Sequence, residues 1–256
     1  MRTIVLGGVL IIVLSVLPGL WLWWPKRKDD VSRSDLGVAL MTGALIAVAV
    51  LAIQVSIDDK ARKRDATRQA ADARQNFELT LSLQRDLTGI RLDGEDLRGI
   101  HFHGKKLEGA SLIGSVMDEV VLAEANLTNA TLRGAKLVDA DMTGVKAEWA
   151  NFEGAHLEGA VLNSSRLRGA RFIRAHLETA ELRGAELLFA NLQQSHLEGA
   201  SFSQASLIGA DLSGATWDST TAFAGALYDR RTKWPDGVKQ PTCLRTSCVA
   251  DDPPQS

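Results

Sequence analysis

Reactive side chains are scarce in this chain of 256 residues. Only two cysteines occur, Cys243 and Cys248, and neither is near the N-terminus, so a lipid-modified N-terminal cysteine is not expected. Separated by four residues, they read as two reduced thiols, with a disulfide in an oxidising compartment as the other reading. No histidine lies near them to complete a structural zinc site. The sequence also lacks a P-loop, GxSxG, HExxH, CxxC or dinucleotide fingerprint, so no catalytic residue, no cofactor and no enzymatic activity are expected. Positive charge is not concentrated anywhere. Residues 1–84 hold 11 basic and 8 acidic side chains, 85–217 hold 13 and 18, and 218–256 hold five and five. Direct nucleic-acid binding, which needs a basic footprint, is therefore not expected.

What is abundant at the start is apolar length. Residues 4–24 carry no charge over 21 positions and residues 36–57 none over 22, each enough to cross about 30 Å of hydrocarbon. Two transmembrane helices and a membrane anchor over 1–57 are expected. Trp21, Trp23 and Trp24 followed by Lys26, Arg27 and Lys28 suit an interfacial belt and its water-side charges. A cleaved signal peptide is the alternative for the first run, but no small-x-small cleavage site follows it, only Trp-Trp-Pro-Lys. Arg2 with Lys60, Arg62, Lys63, Arg64, Arg68 and Arg74 set seven basic residues against the four of the short connection, Lys26, Arg27, Lys28 and Arg33. That balance places both termini, and all that follows residue 57, in the cytoplasm of a multi-pass membrane protein.

Beyond the anchor the sequence has a period of five. Every fifth residue from Leu87 to Trp217 is large and apolar except Ala147: 19 Leu, four Phe, two Met and one Trp in 27 positions. Two residues before each, from Ala110 to Ala215, 17 of 22 positions are Ala, with Ser115, Val120, Val145, Ser165 and Ser195 as exceptions. Neither common element accommodates this. On a helix every fifth residue rotates by about 140°, and on a strand an odd period sends alternate residues to opposite faces. The chain must turn between repeats; if each pentapeptide is one side of a square, four close a coil of twenty residues and every central residue points at one axis. Small Ala fits the crowded inward position beside it.

The stretches AEANLTNATLRGAKLVDADM (123–142) and IGADLSGATW (208–217) resemble the A(D/N)Lxx consensus of the pentapeptide-repeat proteins. The resemblance implies an all-β right-handed quadrilateral β-helix over 85–217, of about seven coils. At a strand-like spacing of ~4.8 Å per coil it would be roughly 30 Å long. The family is united by architecture rather than by chemistry, and the T-x-W-P-D-G segment at residues 232–237 resembles the closing segment of many of its bacterial members.

Both ends of such a solenoid need covers. Residues 58–75 are rich in Ala and charge and predict a helix, and Phe77, Leu79, Leu81 and Leu83 alternate with polar residues as a strand entering the first coil would, giving a linker and N-terminal cap over 58–84. Trp217, Phe223, Leu227, Tyr228 and Trp234 gather toward a C-terminal cap at 218–238, and 239–256 have little to bury and are expected to be a disordered tail.

Two outward constellations stand out. His156, His176 and His196 recur every twenty residues, each followed two positions on by Glu158, Glu178 and Glu198. Stacked imidazoles could hold a metal or respond to protons, but duplication of a twenty-residue unit leaving a solvated ladder is the preferred reading, and no metal is assigned. Trp149, Leu188, Phe189 and Ile208 fall on one side at positions the repeat leaves polar, although Arg168 and Gly169 interrupt their columns. Such a patch marks either a partner site or local packing. The function expected is a non-enzymatic, membrane-anchored scaffold for an unidentified protein partner. The solenoid's ends and faces also leave room for a homodimer. The alternative is a DNA mimic that binds gyrase or another nucleic-acid-binding protein, which a net −5 over 85–217 supports weakly.

Overall fold

The computed structural model describes residues 5–6, 9–10, 33–235 and 248–249. By internal contacts the chain divides into two compact units, Met1–Gln69 and Ala70–Ser256.

Among the described residues one long apolar helix is present, not two. Helix α1 is Arg33–Leu83, and its segment from Met41 is long and apolar enough to cross a membrane. Leu45, Ile46, Val48, Leu51, Ile53 and Val55 are all exposed, so this segment is apolar around its circumference. The expected helix over 4–24 is not found where it is described. Val5–Leu6 (β1) pairs antiparallel with Val9–Leu10 (β2), Val5 opposite Leu10 and Leu6 opposite Val9. The sequence supplies the reason: Gly7-Gly8 lies between two Val-Leu dipeptides, and Gly-Gly favours a two-residue hairpin while costing a helix about 1 kcal/mol per glycine. Residues 11–24 lie outside the described residues.

The strand expected at 77–83 is instead the end of α1. The alternation Phe77, Leu79, Leu81, Leu83 contains a second spacing, four residues, and only that one is used: Leu81 is buried in the core and Phe77 packs against it, while Leu79 and Leu83 are exposed. No glycine or proline interrupts 44–88, so the helix continues until something stops it. The stop is Lys105, only 6% exposed at an inward position where later repeats have Ala, whose Nζ donates to the carbonyls of Ser82 at 2.8 Å and Gln84 at 2.7 Å. It satisfies end carbonyls that no helical N–H reaches. Burial, with some repulsion from Arg85, pulls the Lys105 ammonium below its ordinary pKa. Arg74 adds a contact to the Asp96 carbonyl.

From Asp86 the second unit is a coil. Of 26 parallel bridges, 23 join residues twenty apart, from Asp86 with Lys106 to His196 with Thr216, so four pentapeptides close each turn. Every central residue from Leu87 to Leu212 is buried. Backbone bonds account for four N–H groups of most pentapeptides between Lys106 and Ser195. In the repeat around Leu127, Leu127 donates to Lys146, Asn129 to Glu148, Ala130 back to Leu127 and Asn126 to Lys105 in the preceding coil. The fifth N–H, just after the central residue, has no backbone acceptor, and in several repeats a side chain takes it. Asn126 Oδ1 accepts from Thr128, Asp141 from Thr143, Asn151 from Glu153, Asn191 from Gln193 and Asp211 from Ser213. An acidic or amide residue before the central Leu is therefore a device for satisfying the backbone. Ser115, Ser165 and Ser195 are tolerated among the inward Ala because each hydroxyl donates to the carbonyl three residues back.

The coil does not end at Trp217, which is only partly buried. Three further bridges, Ser201 with Ala222, Ser206 with Leu227 and Asp211 with Lys233, accommodate extra residues in two short loops. In each loop an Asp-x-x-Thr sequence repairs the ladder. Thr221 Oγ1 donates to the Leu197 carbonyl and Thr232 Oγ1 to that of Leu207, while Asp218 and Asp229 accept from the loop backbone. Phe223 stacks on Phe202 at 5.3 Å, and Trp234 packs edge-on against Phe223 and Tyr228, closing the interior. Within the stretch expected to be a disordered tail, Cys248–Val249 (β4) pairs antiparallel with Leu227–Tyr228 (β3). The rest of that tail, with Cys243, lies outside the described residues, as does the side chain of Cys248.

Candidate functional site

The coil's corners fall two residues after each central residue, with φ near +60°, where Gly is favoured because it lacks a Cβ. Trp149 and Phe189 occupy corners, at φ of 61° and 58°. Bulky residues are rarely held there, and their rings are left 56% and 41% exposed. What makes room for them lies one coil on. A Cβ on Gly169 would come within 2.3 Å of the Trp149 ring, and one on Gly209 within 2.6 Å of the Phe189 ring. Each aromatic thus lies over a glycine of the next coil, and Gly169, which in sequence interrupts the patch, is its seat. The column Trp149, Gly169, Phe189, Gly209 alternates ring and support. Arg231 sets its guanidinium 5.0 Å from the Phe189 ring centroid and pairs with Asp229 at 2.7 Å. Leu188 and Ile208 flank this column half-buried, and Arg168 is exposed. The glycines at plus twenty were visible in sequence; Arg231 was not, because the inserted loop carries it out of register.

The His and Glu columns stack as the period requires. His156, His176 and His196 are joined by parallel bridges, with ring centroids 4.7 and 4.8 Å apart. Glu158 Oε1 is 3.1 Å from His156 Nδ1 and 4.0 Å from His176 Nδ1, and His176 Nδ1 is 3.4 Å from Glu178 Oε1. His196 Nδ1 lies 3.1 Å from Thr216 Oγ1. The second oxygen of Glu158, Glu178 and Glu198 is buried without a hydrogen-bond partner.

Some charges elsewhere are compensated. Glu153 is ringed by Arg174, Arg171 and Arg133 at 3.0, 3.6 and 3.9 Å. Asp96, hydrogen-bonded by the Arg98 guanidinium and backbone, titrates below the usual carboxylate range, as does Asp86 beside Thr88. Two open grooves lie at Asp118, Lys136 and His156 and at Ser82, His101 and Lys105; in the second the Ser82 hydroxyl donates to the Leu79 carbonyl.

No curated protein sequence matches this chain. Among solved structures, QnrB1, a plasmid-mediated fluoroquinolone resistance protein, is 18% identical over 60% of this chain and 82% of its own, with a TM-score of 0.46. HetL, a pentapeptide repeat protein involved in heterocyst differentiation regulation from the cyanobacterium Nostoc sp. strain PCC 7120, is 24% identical over 56% of this chain and 91% of its own, with a TM-score of 0.35. A pentapeptide repeat protein from the Arabidopsis thaliana thylakoid lumen is 29% identical over 44% of this chain and 68% of its own, with a TM-score of 0.26. The family model for pentapeptide repeats matches in eight copies, over residues 106–144, 147–184 and 185–216. That match and the twenty-residue coil closure agree: residues 106–216 are similar to pentapeptide repeat proteins, whose fold is a right-handed β-helix solenoid.

Proposed function

We propose that this chain is a non-enzymatic scaffold of a bacterial cell membrane, anchored through the apolar part of α1, which offers the Trp149–Phe189 column to a protein partner. The observation that carries the reading is the pair of exposed rings at corners, each lying over a glycine. Aromatic side chains on a rigid support present large contact area with little left to order on binding. Close to the apolar stretch, Lys60, Arg62, Lys63, Arg64, Arg68 and Arg74 outnumber Lys26, Arg27, Lys28 and Arg33, which favours a cytoplasmic coil. The DNA-mimic alternative is less well supported, because clusters such as the three arginines around Glu153 break up the acidic field.

The test joins location to contact. Full-length protein should stay with membranes through carbonate extraction, and a photo-crosslinker in place of the exposed Arg168, beside the column, should capture a partner that the Trp149→Ala, Phe189→Ala double variant carrying the same crosslinker loses while remaining folded. Recovery in the soluble fraction would refute the anchor, and capture unaffected by the double substitution would refute the surface. Inhibition of gyrase supercoiling that fades with salt and survives the double substitution would favour the mimic.

A further inference from the structure

We propose that His156, Glu158 and His176 form a binding site for a divalent transition ion of borderline softness such as Zn2+, with Glu178, His196 and Glu198 as a second and weaker set. The ligand atoms of each trio lie within 4.8 Å of one another. In a tetrahedral zinc site with bonds near 2.0–2.2 Å, neighbouring ligand atoms stand about 3.3–3.5 Å apart. Glu158 Oε1 stands 3.1 Å from one imidazole nitrogen and 4.0 Å from the other, and with no two ligand atoms more than 4.8 Å apart, closing any pair by up to about 1.5 Å brings the three onto a common centre. These are rotations of side chains about a third exposed; the backbone beneath them is clamped by the His156–His176 bridge and need not move.

The ladder's unmet charge is a separate observation from its geometry. Among the described residues, neither Lys nor Arg pairs with Glu158, Glu178 or Glu198, whereas Glu153 in the same coil has three arginines. Three carboxylates repeat at the coil spacing, each with one oxygen buried and unpartnered, an arrangement that costs free energy unless a cation meets it. The histidines carry no fixed charge and lend nitrogen. Two imidazoles and one carboxylate suit Zn2+, Ni2+ or Cu2+ and not Mg2+ or Ca2+, which take oxygen ligands. Three protein ligands leave a fourth position toward solvent. The trio with two histidines is the stronger set for such an ion, and His196 is in addition engaged by Thr216.

The experiment uses untagged full-length protein in detergent, treated with EDTA and freed of it, then titrated calorimetrically with ZnCl2. Expected are saturable binding near one ion per chain, a rise in melting temperature, no competition from excess Mg2+, and changes in the imidazole NMR signals of His156 and His176 but not of His101 and His103. His176→Gln and Glu158→Gln should each weaken binding by about tenfold or more, the scale on which losing a metal-site interaction acts. The apo melting temperature of each variant reports on its fold, and the NMR test on the unaltered chain stands if either variant unfolds. The Cys243→Ser, Cys248→Ser double variant should bind as the parent does. Absence of saturable binding, equal affinity in folded His176→Gln, or loss of binding in the cysteine double variant would each overturn the proposal.

Discussion

Leu187 and Glu186 are adjacent in sequence and opposite in consequence. Leu187 is fully buried between the central residues one coil before and after it, Leu167 and Leu207. Glu186 is exposed, and its backbone N–H, bonded to the Ser165 carbonyl, remains whatever side chain it carries. Truncating Leu187 to Ala removes three carbons, a transfer loss of about 2.4 kcal/mol at ~0.8 kcal/mol each. The coils above and below are hydrogen-bonded to this one on every side and cannot collapse into the gap, so a cavity term adds to it and the cost should reach about 3–4 kcal/mol. For a unit of this size that is roughly 6–16 °C of melting temperature. Glu186→Ala should stay within about 0.5 kcal/mol. Thermal unfolding of full-length protein in detergent, followed by the β signal in circular dichroism, measures both. Losses of similar size from the two would mean that residues at the central position are not collectively inward, and the coil would be wrong.

Lys105→Met should keep the inward volume while leaving the Ser82 and Gln84 carbonyls unpaired, at a cost of about 2–3 kcal/mol. Hydrogen exchange should quicken in the last turns of α1 before it does in the central coils; uniform loss of protection would show that Lys105 does not act on the helix end. Acid should unfold the C-terminal coils through Asp211 and Asp229. Burial raises both carboxyls, but hydrogen bonds from Lys233 and Ser213 to one and from Arg231 and the Gly209 amide to the other outweigh it, so each lies below its ordinary value. A carboxyl depressed in the folded state stabilises above its unfolded pKa, about 3.9, and that contribution is lost as pH falls through the lower folded value. Melting temperature measured across acidic pH should fall less steeply for Asp229→Asn, from a lower neutral start, than for the parent, and parallel curves would remove Asp229 from the account.

The coil was legible because its cause is local and repeated. A small inward residue, a large central residue and a corner residue recur every five positions, with an Asp or Asn that catches the spare N–H in some repeats, and each can be recognised without knowing what lies next to it. The ends were not legible for the converse reason. Phe77, Leu79, Leu81 and Leu83 satisfy a two-residue and a four-residue spacing at once, and what selects the helix is the core that receives Leu81 together with Lys105, 23 residues beyond Ser82. The Asp-x-x-Thr loops at 218–221 and 229–232 likewise acquire meaning only when the Leu197 and Leu207 carbonyls they serve are in view.

The outward surface divides along a different line. Which residues share a column is arithmetic in steps of twenty, so the His, Glu and aromatic columns could all be drawn before any coordinates. What a column does depends on whether a side chain lies along the rod or away from it, and that is decided by its successor. Trp149 and Phe189 lie down because Gly169 and Gly209 carry no Cβ. Corners such as Glu119, followed at plus twenty by Asp139, have a side chain beneath them and offer no such seat. In the ladder each successor is identical, so three histidines stack and three glutamates crowd, which places the same charge at every step and leaves the same oxygen unmet. Residue and successor at twenty are therefore the smallest unit from which function can be argued on this fold: a ring over a glycine underlies the proposed contact surface, and the repeated Glu beside the repeated His underlies the proposed cation site.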